Sequence, residues 1–219
     1  MPAAHDQIGR GFADPVRASQ ACFRHILDAM AEPGSTHTLA AGIEAPRGLT
    51  TATAVVLLTL ADFETPVWLA PGIGDAAAAY LRFHTGARVV DAPSDGHFAV
   101  IDAGEATPGL AAFNPGDDRY PDRSATVIVQ CRALSGGTPV TLAGPGIRST
   151  RVVAPTGLSP SFSPSFWPSF WPNFWPNFWQ EVAANSARYP LGLDLMFAAD
   201  CQIMGLPRSC RIVPATEVD

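Results

Sequence analysis

The sequence predicts an α/β protein in which helices pack on a mixed β-sheet, and two patterns support this prediction. Helical and extended segments alternate over the first half of the 219-residue chain, whereas extended segments cluster between residues 124 and 153. A mixed sheet flanked by helices accounts for both patterns. Because the length suits one sizeable hydrophobic core, we expect a single domain over residues 1–219.

Two helices are predicted near the N-terminus. The first begins at Asp14-Pro15, because Asp can cap free amide groups and Pro at the first helical position loses no hydrogen bond. It ends at Pro33-Gly34, and its apolar stripe consists of Val16, Phe23, Ile26, Leu27 and Met30. The second spans the apolar run of residues 49–60, although the Thr and Val content of that run also suits a strand.

Four shorter elements follow, each indicated by its flanking Pro, Asp or Gly residues or by a short apolar run. They are a strand over residues 66–70, a helix over residues 76–84 capped by Asp75 and closed by Gly86, a strand over residues 97–102, and a short helix from Thr107-Pro108 to near Phe113.

Residues 120–147 form the predicted centre of the fold. Residues 124–132 are rich in β-branched side chains and read as a largely buried strand. Ser135-Gly136-Gly137 is predicted to reverse the chain, since Gly-Gly supplies the positive φ angles of a tight turn, so that residues 138–143 return as a hairpin partner. Gly144-Pro145-Gly146 is a rigid corner where the backbone can approach another surface or a ligand.

Residues 157–180 carry a four-residue repeat with Pro at the second place and Phe at the fourth. Proline at that density forbids a helix, and the literal interpretation is a polyproline-type aromatic arm that docks on a partner. The stretch can also be written as overlapping six-residue windows, each displaced by two residues from the one before, which merge into the single sequence GLSPSFWPNFWQ. We favour the interpretation that the repeat is such a redundancy and not a biological repeat. Distinct, well-ordered positions for residues 161–175 would show this interpretation to be wrong.

The remaining chain is predicted to form one helix and a pair of strands. The helix covers residues 180–188 and is stopped by the next proline. A strand over residues 193–199 turns at Asp200-Cys201-Gln202 and returns over residues 203–213. Pro207 interrupts the return strand, which places that position at an edge or a bulge.

The charged composition excludes several classes of function. A formal net charge of −6 argues against binding to nucleic acid phosphates. All fourteen basic residues are arginine, and the absence of lysine removes the Schiff-base nucleophile of pyridoxal phosphate chemistry and the phosphate-binding lysine of a P-loop. A high-GC coding bias explains the arginine preference without any functional cause. No cofactor is predicted.

Cysteine usage and hydropathy bear on metals and on localisation. The four cysteines lack a CxxC pair, and the five histidines lack an HExxH-type pairing, so neither a disulfide framework nor a metal site is indicated. No apolar run approaches the roughly 20 residues of a membrane span, and no apolar signal-peptide core is present at the N-terminus. We therefore expect a cytoplasmic protein.

Candidate functional residues are arginines and a histidine that could hold an anion. Arg82 and His84 lie at the predicted end of a helix beside Gly86, where a guanidinium fork could bind a carboxylate, phosphate or phosphonate. The structural alternative is that both side chains satisfy the last helix carbonyls. Arg208 and Arg24 are further anion-binding candidates, with a solvated or salt-bridged surface role as their alternative.

No catalytic constellation can be assembled from spacing alone. A GxSxG elbow is missing, and no cysteine lies in a catalytic signature. The residues themselves thus predict an α/β domain with an arginine-bearing apolar surface and no catalytic residues.

Eight collinear motifs together resemble the PhnH subunit family of the bacterial carbon-phosphorus lyase system. They are FRHILDAMAEPG (23–34), TAVVLLTLADFETPVWL (53–69), LRFHTGA (81–87), FAVID (98–102), SATVIVQCRALSGG (124–137), LAGPGI (142–147), YPLGLDLMF (189–197) and LPRSCR (206–211). The aromatic repeat departs from the family, in which a single short segment precedes the helix that leads to YPLGLD.

The resemblance implies a three-layer α/β sandwich akin to pyridoxal-phosphate-dependent transferases but without the cofactor. It implies a homodimer that also joins the G, I and J subunits in a core complex, which converts a phosphonate and ATP to a ribose 1-phosphonate 5-triphosphate. A non-catalytic subunit is the leading hypothesis. The alternative is a phosphonate- or nucleotide-binding or catalytic subunit that uses Arg82, His84 and Arg208.

Overall fold

The computed structural model describes residues 8–105, 108–158 and 177–213. The helices in these ranges are α1 (Pro15–Ala31), α2 (Thr51–Leu60), α3 (Asp75–Thr85) and α4 (Asn177–Ser186). The strands are β1 (Thr36–Thr38), β2 (Val67–Leu69), β3 (Val89–Val90), β4 (Phe98–Asp102), β5 (Thr126–Gln130), β6 (Val140–Ala143), β7 (Arg151–Val153), β8 (Asp194–Ala199), β9 (Gln202–Leu206) and β10 (Arg211–Val213).

The main sheet is mixed and has the strand order β1-β9-β8-β5-β4-β2-β3. From β3 to β8 the neighbouring strands run parallel, and β9 and β1 add antiparallel pairs at the other edge. α1 packs against β9 and β1, and α2 packs against α1 and β8. The predicted α/β class with a mixed sheet flanked by helices is therefore confirmed.

α1 has the predicted ends, but only part of the predicted stripe is buried, namely Ile26 and, in part, Met30. Asp14 caps the helix by accepting the Arg17 N–H at 3.2 Å. The buried residues are Cys22, Ile26 and Ala29. The backbone of β9 approaches α1 so closely that a Cβ on Gly205 would lie 2.4 Å from the Ala29 carbonyl oxygen, so only small side chains fit there. The other three residues of the stripe face outward, since Val16, Phe23 and Leu27 are 80, 48 and 54 % exposed.

The second apolar run is helical, as predicted, and it is buried on every side. Six consecutive residues of α2, from position 52 to position 57, are buried. A helix enclosed all round needs no polar face, which is why its Thr and Val content resembles that of a strand. Thr50 supplies the N-cap by accepting the Thr53 N–H at 3.1 Å.

α3 differs from the prediction at its start. Gly74 occupies the N-cap position without a side-chain cap, and Asp75 is the first helical residue, so Asp75 does not cap the helix. A carboxylate in the first turn is still favoured by the positive end of the helix dipole. Gly86 closes the helix in the left-handed conformation at φ 72°, as predicted.

The predicted central hairpin is wrong. β5 pairs with β4 and β8 in parallel, whereas β6 belongs to a second, three-stranded sheet with the order β10-β6-β7. The Gly136-Gly137 turn pairs instead with the chain after β7, since the Gly137 N–H donates to the Ala154 carbonyl at 2.8 Å. β5 is buried on both faces, which is typical of an internal parallel strand rather than of a hairpin arm.

The corner at Gly144-Pro145-Gly146 makes the predicted close backbone approach. A Cβ on Gly146 would lie 2.1 Å from the Ala31 carbonyl oxygen, so this corner packs on the end of α1. The C-terminal return strand is likewise divided between the two sheets. β9 ends at Leu206 in the main sheet, and after Pro207 the chain enters the smaller sheet as β10.

The predictions for the two remaining segments are tested only in part. A 3₁₀ turn over Leu110–Ala112 replaces the predicted short helix, and Thr107 lies outside the described residues. Residues 159–176 of the aromatic repeat also lie outside them, so the redundancy hypothesis stays a prediction. The last two aromatic residues of the repeat, Phe178 and Trp179, lie in α4 and are buried against Phe197 of β8.

Candidate functional site

The carboxyl ends of parallel strands are where open α/β sheets usually bind ligands, most often where the strand order reverses. The reversal in this sheet falls between β2 and β4, because the chain runs outward from β2 to β3 and then returns to β4. At the end of β4, a carboxylate oxygen of Asp102 accepts the Gly104 N–H at 2.8 Å. The Asp102 carboxylate is therefore turned onto its own loop.

A buried glutamine fills the neighbouring position at the end of β5. Gln130 Nε2 donates to the Gly48 carbonyl at 2.9 Å, and Gln130 Oε1 accepts the Thr50 N–H at 2.6 Å. The free amide groups at the start of α2 would otherwise attract an anion. Gln130 ties α2 to the sheet and occupies that position itself. The sequence analysis did not identify Gln130. The feature that could have identified it is a polar side chain at the end of an otherwise apolar strand.

Arg82 and His84 lie in the last turn of α3, as the sequence predicts, but they face different directions. Side chains two residues apart on a helix do not share a face. Arg82 is exposed, and its guanidinium makes no hydrogen bond or ion pair with another residue of the described ranges. His84 is half-buried, and its ring packs on Tyr80 with ring centroids 4.4 Å apart. The two side chains therefore do not form one anion-binding fork.

His84 anchors a distant segment of the chain rather than the last carbonyls of its own helix. Its Nε2 donates to the Gly9 carbonyl, 75 residues away, at 2.9 Å. Tyr80 supports the same segment by donating to the Arg10 carbonyl at 3.3 Å, and burial, with a smaller effect of the Glu44 charge, raises the pKa of Tyr80 to about 12. Both side chains thus bind the main chain of the N-terminal segment.

A cleft of about 380 Å³ lies between this N-terminal segment and the end of α3. Arg10 lines it, but its guanidinium binds the Glu44 carboxylate, with Nη2 and Oε1 2.7 Å apart. Hydrogen bonds from Arg10 hold the pKa of the Glu44 carboxyl below its usual range. The cation that lines the cleft is therefore already paired, although the pair is exposed.

Arg208 is part of a partly buried ion pair. Its Nη2 and Nε donate to the two carboxylate oxygens of Asp194 at 2.5 and 3.2 Å, and its Nη1 donates to the Pro121 carbonyl at 2.6 Å. The backbone N–H of Arg208 also donates to Asp194 at 2.9 Å. With side-chain exposures of 14 % for Arg208 and 22 % for Asp194, the pair links the start of β8 to the loop before β5.

Arg24 is exposed on α1 and, like Arg82, makes no side-chain hydrogen bond or ion pair within the described part of the chain. It lies beside the residues that we name the apolar face of α1, which are Val16, Phe23 and Leu27. The structure therefore distributes the four predicted anion-binding residues over α1, α3 and the loop after β9. An anion site built from them stays a prediction.

The structure brings together three possible metal ligands that the sequence analysis did not connect. His25, Asp28 and His37 each place a ligand atom within 4.8 Å of the other two. His25 and Asp28 are three residues apart on α1, which was the available signal. His37 lies on β1, so its proximity depends on how that strand packs against α1.

The buried cysteines are poor nucleophiles. Burial, with a smaller contribution from the Asp102 charge, raises the pKa of the Cys131 thiol to about 12, and burial raises that of Cys210 to about 11. Because the thiolate is the reactive form, neither group is suited to attack a substrate near neutral pH.

These features are set on a mixed α/β fold, and the chain belongs to a family of bacterial phosphonate metabolism proteins. The family profile described as "Bacterial phosphonate metabolism protein (PhnH)" matches residues 10–213. The resemblance read from the eight motifs is thereby confirmed, and this family is the PhnH family.

Two relatives extend the comparison. The chain is 39 % identical over 211 residues to "Alpha-D-ribose 1-methylphosphonate 5-triphosphate synthase subunit PhnH" of Rhizobium meliloti (strain 1021), which covers 95 % of this chain and 98 % of that protein. It is 28 % identical over 196 residues to "Putative C-P lyase subunit protein HtxG" of Stutzerimonas stutzeri, which covers 88 % of this chain and 85 % of that protein. Among the described residues, no helix has the length and apolar character needed to cross a bilayer.

Proposed function

We propose that this protein is a non-catalytic subunit of a carbon-phosphorus lyase core complex that converts a phosphonate and ATP to a ribose 1-phosphonate 5-triphosphate. The observation that carries the proposal is the 39 % identity, over 95 % of the chain, to a protein named as a subunit of such a synthase. The second relative is named as a subunit of a C-P lyase, which agrees with the same assignment.

The non-catalytic role is supported by how the polar groups are used. Gln130 occupies the helix N-terminus at the carboxyl edge of the sheet, and Arg208 is paired with Asp194. His84 binds a main-chain carbonyl. A catalytic acid or base needs a free position facing a substrate, whereas these three side chains stabilise the fold.

We propose that the apolar face of α1 is the contact with a second copy of this chain. Three large apolar side chains are exposed on this one helix. Single exposed apolar residues are common on protein surfaces, whereas several on one element indicate an interaction site. In a pair of α1 helices related by a two-fold axis, the apolar face of each copy lies against the same face of the other, so the contact is self-complementary.

The same subunit is proposed to join the G, I and J subunits of the complex in the cytoplasm. We further propose that residues 1–219 form one domain whose fold is related to that of pyridoxal-phosphate-dependent transferases. The chain has no lysine to form a Schiff base with pyridoxal phosphate, which agrees with a protein of this fold that does not bind the cofactor.

Co-purification tests the assignment to the complex. A tagged G or J subunit, expressed together with this chain, is expected to retain it, and the chain alone is expected to turn over neither ATP nor methylphosphonate. Turnover by the isolated chain that is lost in Arg82→Ala would contradict the non-catalytic role and support the anion-binding alternative. Failure of every tagged subunit to retain the chain would contradict its place in the complex.

Light scattering after size exclusion tests the dimer contact. Leu27→Asp is expected to convert the dimer to a monomer, because it places a charge in the apolar face of α1. Phe63→Asp is the matched control, since Phe63 is 69 % exposed and lies outside α1. A dimer that persists in Leu27→Asp, or one that is lost equally in Phe63→Asp, would show that the contact lies elsewhere.

A further inference from the structure

Two histidines and a carboxylate meet where α1 lies against the edge strand β1. His25 and Asp28 share one side of α1, and His37 is the central residue of β1, held in register opposite Ile203 of β9. One ligand atom from each of the three lies within 4.8 Å of the other two. We propose that His25, Asp28 and His37 bind one divalent transition metal ion, with Zn²⁺ as the representative ion.

The hydrogen bonds around His37 orient it as a ligand. Ser35 Oγ lies 2.6 Å from the Glu32 carbonyl oxygen and 2.8 Å from His37 Nε2, so the hydroxyl bridges the main chain and the imidazole. In the tautomer in which Nε2 donates to the Ser35 oxygen, Nδ1 keeps its lone pair and can bind a metal ion. A metal-binding histidine is typically held in this way, with its second nitrogen donating to an oxygen of the protein.

The other two ligands are free to complete the site. His25 and Asp28 are exposed, and within the described ranges neither side chain donates or accepts a hydrogen bond. Zn–N bonds of about 2.0–2.1 Å place neighbouring tetrahedral ligands roughly 3.4 Å apart. The donor atoms, which lie within 4.8 Å of one another, therefore have to move closer on metal binding, and the exposed His25 and Asp28 side chains are the ones free to change rotamer.

The donor set and the local field select the class of ion. Two imidazole nitrogens and one carboxylate favour Zn²⁺, Co²⁺, Ni²⁺ or Cu²⁺, whereas Ca²⁺ and Mg²⁺ prefer oxygen ligands. The site lies toward the C-terminal end of α1, whose last turn contains no basic residue, so the negative end of the helix dipole also favours a cation.

Three protein ligands leave a fourth coordination position, which water occupies in the isolated chain. Because the ligands come from α1 and from β1, the ion would fasten the edge strand to the helix. The inference does not depend on the lyase assignment, since it uses only side chains of this chain.

Calorimetry and Co²⁺ absorption spectroscopy test the site on tag-free, full-length protein treated with a chelator. We expect one Zn²⁺ per chain, and a Co²⁺ spectrum typical of nitrogen and oxygen ligands without a thiolate charge-transfer band. His25→Ala and Asp28→Asn are each expected to weaken Zn²⁺ binding at least about 10-fold. The exposed His97 lies outside the cluster, and His97→Ala is the matched control, expected to leave binding unchanged.

Ser35→Ala tests the positioning role of the serine. Its expected effect is a loss of about 10- to 100-fold in Zn²⁺ affinity, together with a change in the His37 tautomer seen by ¹⁵N NMR in the metal-free protein. His25 and Asp28 are exposed helix residues, so their variants are expected to fold, and circular dichroism checks this. Absence of Zn²⁺ binding, equal binding in His25→Ala and wild type, or a thiolate band would each overturn the proposal.

Discussion

Arg208 is either a residue that stabilises the fold through its ion pair with Asp194 or a ligand-binding residue, and its replacement distinguishes the two roles. Arg208→Ala removes three side-chain hydrogen bonds, two to the Asp194 carboxylate and one to the Pro121 carbonyl. Breaking a buried ion pair by removing one partner costs about 3–5 kcal/mol. Since the two side chains remain 14 and 22 % exposed, solvent screens part of this, and we take the lower end.

The expected loss is thus about 3 kcal/mol in the free energy of unfolding, which corresponds to a decrease of roughly 6–12 °C in Tm for a protein of this size. Urea unfolding and thermal circular dichroism measure it. Arg211→Ala is the matched control, an exposed arginine three residues away, and should change stability by less than about 0.5 kcal/mol. Arg208→Lys keeps the charge but loses the two-pronged geometry, so it should recover only part of the loss.

An unfolding free energy for Arg208→Ala within about 0.5 kcal/mol of that of Arg211→Ala would refute this reasoning. If calorimetry then showed ATP or methylphosphonate binding that Arg208→Ala abolished, the guanidinium would be a ligand-binding group. A large loss of stability without any such heat in the wild-type protein would assign Arg208 to the fold.

Two further predictions follow from buried titratable groups. Burial raises the pKa of the half-buried Glu181, against a smaller opposing effect of its 2.6 Å hydrogen bond from the Leu110 N–H, so the folded state holds the proton more tightly than the unfolded state. Stability from this group is present below its unfolded pKa of about 4.3 and is lost as pH rises through the folded pKa. Glu181→Gln should flatten that loss in urea unfolding followed from about pH 4 to about pH 8, and an unchanged pH profile would contradict the assignment. Iodoacetamide near neutral pH should label Cys201, which is half-buried, well before Cys131 and Cys210, and mass spectrometry showing Cys131 labelled first would contradict their burial.

The ends of α1 were predictable because their signals are local. Asp14 binds an N–H three residues away, and Pro33-Gly34 stops the helix whatever surrounds it. The left-handed closure of α3 at Gly86 has the same local origin. At the start of α3, Gly74 rather than Asp75 occupies the cap position, so the predicted boundary was displaced by one residue.

Strand pairing could not be predicted, because a strand forms its hydrogen bonds with residues distant in the sequence. Gly136-Gly137 has the composition of a hairpin turn, yet the chain leaves β5 for a different sheet. The apolar run of β5 was visible, but that run indicates burial and does not identify the neighbours. The pairing was decided by β4 and β8, which enclose β5 on both sides.

The periodicity of the sequence likewise shows which side chains of α1 are apolar, but it does not show which of them other elements of the fold bury. Packing of α2, β9 and β1 against α1 buries Cys22, Ile26 and Ala29 and leaves the apolar face of α1 in solvent. The candidate functional residues follow the same rule. Arg208 contacts Asp194, and His37 lies beside His25 and Asp28 on α1, because segments that are distant in the sequence pack against each other.

The sequence by itself determined the α/β class, the limits of the first helix and the membership in the PhnH family. Each of these depends on residue types at short spacing or on the order of motifs, and both can be read directly from the amino-acid sequence. The tertiary structure alone decided which strands are neighbours, which side of α1 is exposed, and which polar side chains are already bound. Those outcomes depend on contacts between distant residues, whose energies are set by the space that the rest of the chain leaves between them.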